Sequence, residues 1–211
     1  LKGEEPSVEN SSNDSNMVVP FDEAIGASIV RIFEEPGGVL EIGCGQESEM
    51  MIALKYAGHE VFGYDLNPSS SVGEVSKYNL RNPGLHYFDV QRHMLCTKTL
   101  CYLTIPEMVR ALKWMFETFT DRAFIYTPDS SQQMTYDPAC ITFVDAQWLA
   151  WVCSQIGGYA FVLNFYHDPN TGYGPAVCWL KEEVDSWRTA TKVMLAVKSA
   201  VGDPRFSITL E

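Results

Sequence analysis

Val39-Leu40-Glu41-Ile42-Gly43-Cys44-Gly45-Gln46 surrounds an acid with three strand formers and then opens a tight turn with two glycines. Val39, Leu40 and Ile42 predict a short buried strand. Glu41 is out of place there on hydrophobic grounds, because a buried carboxylate is costly unless it is paired. Gly43 and Gly45 carry no Cβ, so the main chain can approach a ligand closely. The stretch therefore predicts a ligand-binding turn at the end of a strand, with an acid beside it.

The flanking segments alternate between strand and helix patterns. Pro20 and Asp22 introduce an apolar-faced helix, FDEAIGASIVRIFEE, which ends at Pro36-Gly37-Gly38. After VLEIG come a helix in ESEMMIALKYAG, a second strand in EVFGYD, and a polar, weakly helical segment, SSSVGEVSKYNLRNPG. A third strand follows in LHYFDV, and a fourth from His93 to Thr97. IPEMVRALKWMFETF is a helix with Pro106 in its first turn, and RAFIYTP is the fifth strand. A long loop, DSSQQMTYDPACITF, leads to the helix VDAQWLAWVCSQIGG. Trp148 and Trp151 of that helix are expected in the core. Two more strands, YAFVLNFYHD and YGPAVCWLKE, are joined by the turn PNTG. Strand-helix alternation implies a parallel sheet with crossovers on both faces, and the short last connection forces its two strands antiparallel.

The expected fold is α/β: a doubly wound, mostly parallel seven-stranded sheet with a terminal antiparallel hairpin and helices on both faces. Residues 1–17 are expected to be a disordered or loosely attached tail, 18–182 the domain, and 183–211 a C-terminal helix and tail. That last helix is a candidate surface for self-association or a partner. The chain opens on Leu1 and is expected to be a piece or a processed form of a longer one.

With 211 residues, 46% hydrophobic and 20% charged, the chain can bury one sizeable core. No apolar run reaches the roughly 18 residues of a membrane span. A net charge of −12 argues against broad binding to nucleic acid, which needs clustered Lys and Arg. Cys44, Cys96, Cys101, Cys140, Cys153 and Cys178 form no metal-ligand spacing, so no metal is expected. They read as reduced core or near-core residues of an intracellular, cytoplasmic protein.

In an open parallel sheet the ligand lies beyond the strand carboxyl ends. Asp65 ends the second strand, where a carboxylate can accept both hydroxyls of a ribose. Asp89 ends the third and faces the same edge. A dinucleotide would call for GxGxxG, but Ser48 stands where the third glycine would be, and Glu47 and Glu49 open the following helix. A cofactor with a cationic amino-acid end suits this acidic surround better than a pyrophosphate.

VLEIGCGQ followed by VFGYDLNP resembles the first two motifs of the class I S-adenosylmethionine-dependent methyltransferases. The resemblance spans about Phe21 to Glu182. It implies S-adenosyl-L-methionine as cofactor, held by Glu41, Gly43, Cys44 and Gly45 of the first motif, by Asp65 and Leu66 of the second, and by Asp89 and Val90 on the adenine side. Glu41 would serve the methionine end and Asp65 the ribose. The fourth-motif region reads Cys96-Thr97-Lys98, not Asn-Pro-Pro-Tyr, which disfavours amino-methylating enzymes of nucleic acid and of glutamine. Lys98 and Lys113 lack the acid of a ribose-methylating set, and Leu95-Cys96-Thr97 is not the setting of a base-methylating cysteine. The acceptor is left open, with a small molecule or a protein side chain favoured. Tyr136 and Asp137, in the long loop, are candidate acceptor contacts. His86, His93 and His167 are candidate general bases. The alternatives are an inactive cofactor-binding or scaffolding domain of the same fold and a nicotinamide-dependent oxidoreductase.

Overall fold

The computed structural model describes Phe33 and residues 36–45, 49–68, 74–83, 91–128, 137–164, 176–182 and 207–209. β1 (Gly38–Ile42) pairs in parallel with β2 (Glu60–Asp65) on one side and β4 (Gln91–Thr97) on the other. β3 (Glu74–Lys77) extends the sheet beyond β2, and β5 (Phe119–Tyr126) extends it beyond β4, both in parallel. β7 (Ala176–Leu180), β6 (Tyr159–Asn164) and β8 (Ser207–Thr209) complete it, each antiparallel to the strand before it in the sheet. The order is β3-β2-β1-β4-β5-β7-β6-β8. The chain leaves β1 toward β2 and later returns to β1's other side as β4, which makes the carboxyl end of β1 a topological switch point.

Among the described residues three helices cover the sheet: α1 (Glu49–Tyr56), α2 (Ile105–Thr118) and α3 (Ala146–Ile156). β1 shows how side-chain alternation divides the core. Leu40 and Ile42 join Met94, Cys96 and the α2 and α3 residues Met108, Leu112, Met115 and Leu149 in one cluster. Val39 joins Leu95, Phe124 and the α1 residues Met50, Met51 and Leu54 in the other. Glu41 shares the face of Val39, two residues away, so its carboxylate belongs to the α1 side. Both α2 and α3 carry N-terminal caps. The Glu107 carboxylate accepts from the N–H and hydroxyl of Thr104, each at 2.8 Å, and Asp145 accepts from the Gln147 N–H at 2.6 Å.

The doubly wound sheet with its antiparallel β7-β6 hairpin matches the expectation. The details differ in three places. Residues 74–77 form β3 within the segment read as weakly helical, because pairing with β2 supplies hydrogen bonds that local propensity does not reveal. LHYFDV, read as the third strand, lies outside the described residues, as do the helix before Pro36 (apart from Phe33), the PNTG turn and the helix beginning in 183–201. β8 adds an eighth strand from the segment read as a tail. Trp151, expected in the core, is 54% exposed, while Trp148 packs against the α2–α3 cluster. Among the described residues no helix is long and apolar enough to cross a membrane.

Trp179 on β7 ties the hairpin to both helices of its face. It is fully buried, its ring stacks on Phe116 with centroids 4.9 Å apart, and its indole N–H donates to the Gly157 carbonyl at 2.7 Å, just past α3. Trp179→Phe removes that bond and leaves both a void and an unpaired carbonyl. It is expected to lower unfolding free energy by about 2–3 kcal/mol, read from urea denaturation. An unchanged midpoint would show that the contact is dispensable.

Candidate functional site

The turn after β1 is held by its neighbours on both sides. Gly43 and Gly45 have φ of +73° and +66°, the left-handed region that favours glycine. The Gly43 N–H donates to the Tyr64 carbonyl of β2 at 2.6 Å. The Gly45 N–H donates to Asp65 Oδ2 at 3.0 Å, and the Asn67 N–H to Asp65 Oδ1 at 2.8 Å. From the β4 side, the Thr99 hydroxyl lies 3.1 Å from the Ile42 carbonyl and 3.0 Å from that of Thr97. A Cβ built on Gly43 would fall 1.9 Å from Thr99 Oγ1, whereas one built on Gly45 would meet nothing within 4 Å. Gly43 is therefore the packed glycine of the pair, and Gly45 is the one facing open space.

Acidic charge surrounds this turn. Glu41, 3% exposed, sits in register with Gly63 of β2 and Leu95 of β4, and it engages its surroundings rather than standing as an isolated charge. Cys44 is buried between the carboxylates. Burial first, then Glu41 and then Asp65, push its thiol from the ordinary 9.0 up to about 12. Gly63 makes room for it, since a Cβ there would lie 2.7 Å from Cys44 Sγ. Leu66, 53% exposed, gives the carboxyl edge an apolar surface beside Asp65.

The fold thus gathers Glu41, Gly43, Cys44, Gly45, Asp65 and Leu66 at one edge. Asp89, Val90 and Tyr136 lie outside the described residues. Asp137 is exposed on the loop before α3; its carboxylate accepts from the Tyr102 hydroxyl at 3.1 Å and from the Ala139 N–H at 2.8 Å, which makes it a turn-former as well as a candidate contact. His93 is not at this edge. It lies fully buried near the start of β4, stacked on Phe33 at 4.6 Å and 3.7 Å from Asp121, about 13 Å along the strand from the carboxyl end at Thr97. His86 and His167 lie outside the described residues.

Three contributors were missed in the sequence. Thr99 left no signal because its partner Ile42 is 57 residues away. Gly63 carried a faint one, a glycine inside a strand, which marks close approach of another group. Lys98 has φ +55°, rare for a residue with a side chain, as β4 hands over to the short 3-10 turn Leu100–Tyr102.

The architecture recurs in proteins of known structure. A S-adenosylmethionine-dependent methyltransferase from Archaeoglobus fulgidus superposes with a TM-score of 0.61 at 16% identity, covering 77% of this chain and 94% of its own. Magnesium protoporphyrin IX methyltransferase from Synechocystis, solved with S-adenosylhomocysteine, gives 0.57 at 14% identity, covering 78% and 87%. A 1,6-didemethyltoxoflavin-N1-methyltransferase from Burkholderia thailandensis, solved with 1,6-didemethyltoxoflavin and S-adenosylhomocysteine, gives 0.59 at 18% identity, covering 79% and 82%. No family model matches the sequence, and no curated protein matches it. The chain has the fold of the class I S-adenosylmethionine-dependent methyltransferases.

Gly43→Ala is expected to cost about 2–4 kcal/mol, because it forces a side chain to a positive φ and into Thr99. Thr99→Ala in the same chain relieves the clash but not the backbone strain. The double mutant should therefore show a coupling energy of at least about 0.5 kcal/mol in denaturation cycles, and strict additivity would remove the Gly43–Thr99 contact from the turn.

Burial also raises the thiols of Cys96 and Cys178 from 9.0 to about 12. The folded protein holds these protons more tightly than the unfolded chain. Their contribution is complete below about pH 9 and is lost as pH rises toward 12. Each should remove about 1.4 kcal/mol per pH unit within that window. Denaturation at about pH 8 and about pH 10 checks the slope, and Cys178→Ala should make it shallower.

Proposed function

We infer that the chain is an S-adenosylmethionine-dependent methyltransferase whose cofactor lies across the carboxyl ends of β1 and β2. The observation that carries this is Asp65. An ionised carboxylate offers about four lone-pair sites. The Gly45 and Asn67 N–H groups take one on each oxygen. About two remain, the number needed by the vicinal hydroxyls of a ribose. The same bonds aim Asp65 at the space over Gly45, where nothing stands within 4 Å of a built Cβ. The donors and acceptors of the turn therefore fit the nucleoside portion of such a cofactor.

When bound, S-adenosylmethionine supplies an electrophilic methyl group on a sulfonium sulfur. The chain's own part is binding and alignment. Glu41 and Asp65 set a negative field around the turn, felt at Cys44, which favours a cationic aminoacyl end over a pyrophosphate. Leu66 offers an apolar surface to the nucleoside, Asp89 and Val90 take the adenine side, and Tyr136 and Asp137 line the acceptor side. Alignment by itself supplies much of the rate when the acceptor is already nucleophilic, so no general base is required at this edge. A small molecule or protein side chain is the favoured acceptor, since a net charge of −12 opposes a polyanion. The 1,6-didemethyltoxoflavin-N1-methyltransferase neighbour, solved with 1,6-didemethyltoxoflavin bound, is consistent with this.

A second reading, binding without turnover, draws on the end of β4. Thr99 spends its hydroxyl on main-chain carbonyls, and no acid stands in the fourth-motif stretch Cys96-Thr97-Lys98.

S-adenosylhomocysteine is expected to raise the melting temperature and NAD to leave it unchanged. In calorimetry Asp65→Ala should weaken S-adenosylhomocysteine by about 1–3 kcal/mol, and Glu41→Gln should lower affinity more than stability. A shift with NAD alone, or none with either, would sink the cofactor assignment. Transfer of a labelled methyl group into a metabolite or protein fraction separates enzyme from binder: label in an acceptor supports turnover, and tight binding with no transfer favours the second reading.

A further inference from the structure

The 3-10 turn after β4 and the segment leading into α3 meet through two sulfurs. Cys101 Sγ and Cys140 Sγ lie 2.9 Å apart, about 1 Å beyond the roughly 2.05 Å of an S–S bond. The main chain keeps them opposed. The Ile141 and Thr142 N–H groups donate to the Cys101 carbonyl at 2.9 and 3.0 Å, and the Cys140 N–H donates to the Asp137 carbonyl at 2.9 Å. Tyr102 adds a side-chain tie, its hydroxyl donating to Asp137 at 3.1 Å. Two segments 39 residues apart in sequence are thus held in register around a thiol pair.

The two thiols differ in access. Cys101 is fully buried, whereas Cys140 is 8% exposed. Asp137, Pro138 and Ala139 before it are exposed, and Ile141 after it is 57% exposed. A small outward movement of this loop therefore uncovers Cys140 first. Burial raises the Cys101 thiol well above the ordinary range, so reaction at Cys101 is slow until its partner has become a disulfide within bonding reach.

We propose that Cys101 and Cys140 are a disulfide-forming pair, a modification site that joins the segment before α3 to the turn at the carboxyl end of β4. A low-molecular-weight disulfide is the oxidant. Cys140 gives its proton to solvent and attacks one sulfur of that disulfide, expelling one thiolate. Cys101 then loses its proton and attacks Cys140 Sγ in the mixed disulfide, expelling the second. The two protein thiols lose two electrons and two protons, and the small disulfide is reduced to two thiols. The new bond fixes the loop carrying Asp137 to the sheet edge. The pair rests on its own geometry and stands or falls separately from the cofactor assignment.

The test is to incubate the folded wild-type protein with oxidised glutathione, block remaining thiols, and read intact mass and linked peptides. The expected result is a loss of about 2 Da, a single Cys101–Cys140 cross-link, four of the six thiols still open to alkylation after denaturation, and reversal by dithiothreitol. The cross-linked form should melt roughly 5 °C or more above the reduced form. Cys140→Ser, at the more exposed of the two positions, should abolish both the cross-link and the shift. Retention of all six thiols, glutathione adducts that never resolve, or a cross-link through any other cysteine would each overturn the proposal. The wild-type measurement decides the matter even if a variant fails to fold.

Discussion

Everything at the carboxyl edge depends on the register of β1 between β2 and β4. Pairing Ile42 with Tyr64 on one side and Cys96 on the other brings the turn at Gly43 level with the end of β2. The Tyr64 carbonyl then takes the Gly43 N–H, and Asp65 takes the Gly45 N–H. A slip of one residue would turn Glu41 onto the α2–α3 face and Leu40 onto the α1 face. Apolar packing against α1 on one face and α2 and α3 on the other makes that exchange expensive, so the core sets the register and the register builds the site.

The same arrangement explains why an acid is tolerated in the central strand. Glu41 lies two residues before Gly43 of the turn, buried on the α1 face, and it is engaged by its surroundings. Its charge is felt at Cys44 and at Cys96, whose thiols are pushed up by burial and then by Glu41. The consequence is a local negative field at a point where the main chain carries glycines. Asp65 contributes the other half of that field while also closing the turn. Asp65 thus closes the turn through one lone pair on each of its oxygens.

The β4 side has a different character. Thr99 holds the turn from beneath, Lys98 turns the chain through a left-handed step, and the residues that follow run into the 3-10 turn bearing Cys101 and Tyr102. These groups meet Asp137 and Cys140 on the loop before α3. The β1–β2 half of the edge is thus built from the glycine turn and Asp65, and the β4 half meets the loop before α3 around a sulfur pair.

The sequence by itself determined the strand and turn around Glu41, Gly43 and Gly45, the strand ending at Asp65, the alternation that implies a doubly wound sheet, and the helix start at Pro106. These are local signals: apolar runs, glycines at turn positions, a proline in the first turn of a helix. What only the tertiary structure decided was long-range. Residues 74–77 became a strand because β2 offered a partner, and Ser207–Thr209 joined the sheet because β6 did. Trp151 faces solvent because α3 uses Leu149, Ala150, Val152 and Cys153 for its packed face. His93 moved away from the site because it stands near the start of its strand, and in a parallel sheet only strand carboxyl ends reach that edge. Thr99 against Gly43, and Cys101 against Cys140, are contacts between segments far apart in the chain. No local pattern encodes such a pair, since the distance that matters exists only after the sheet has closed around it.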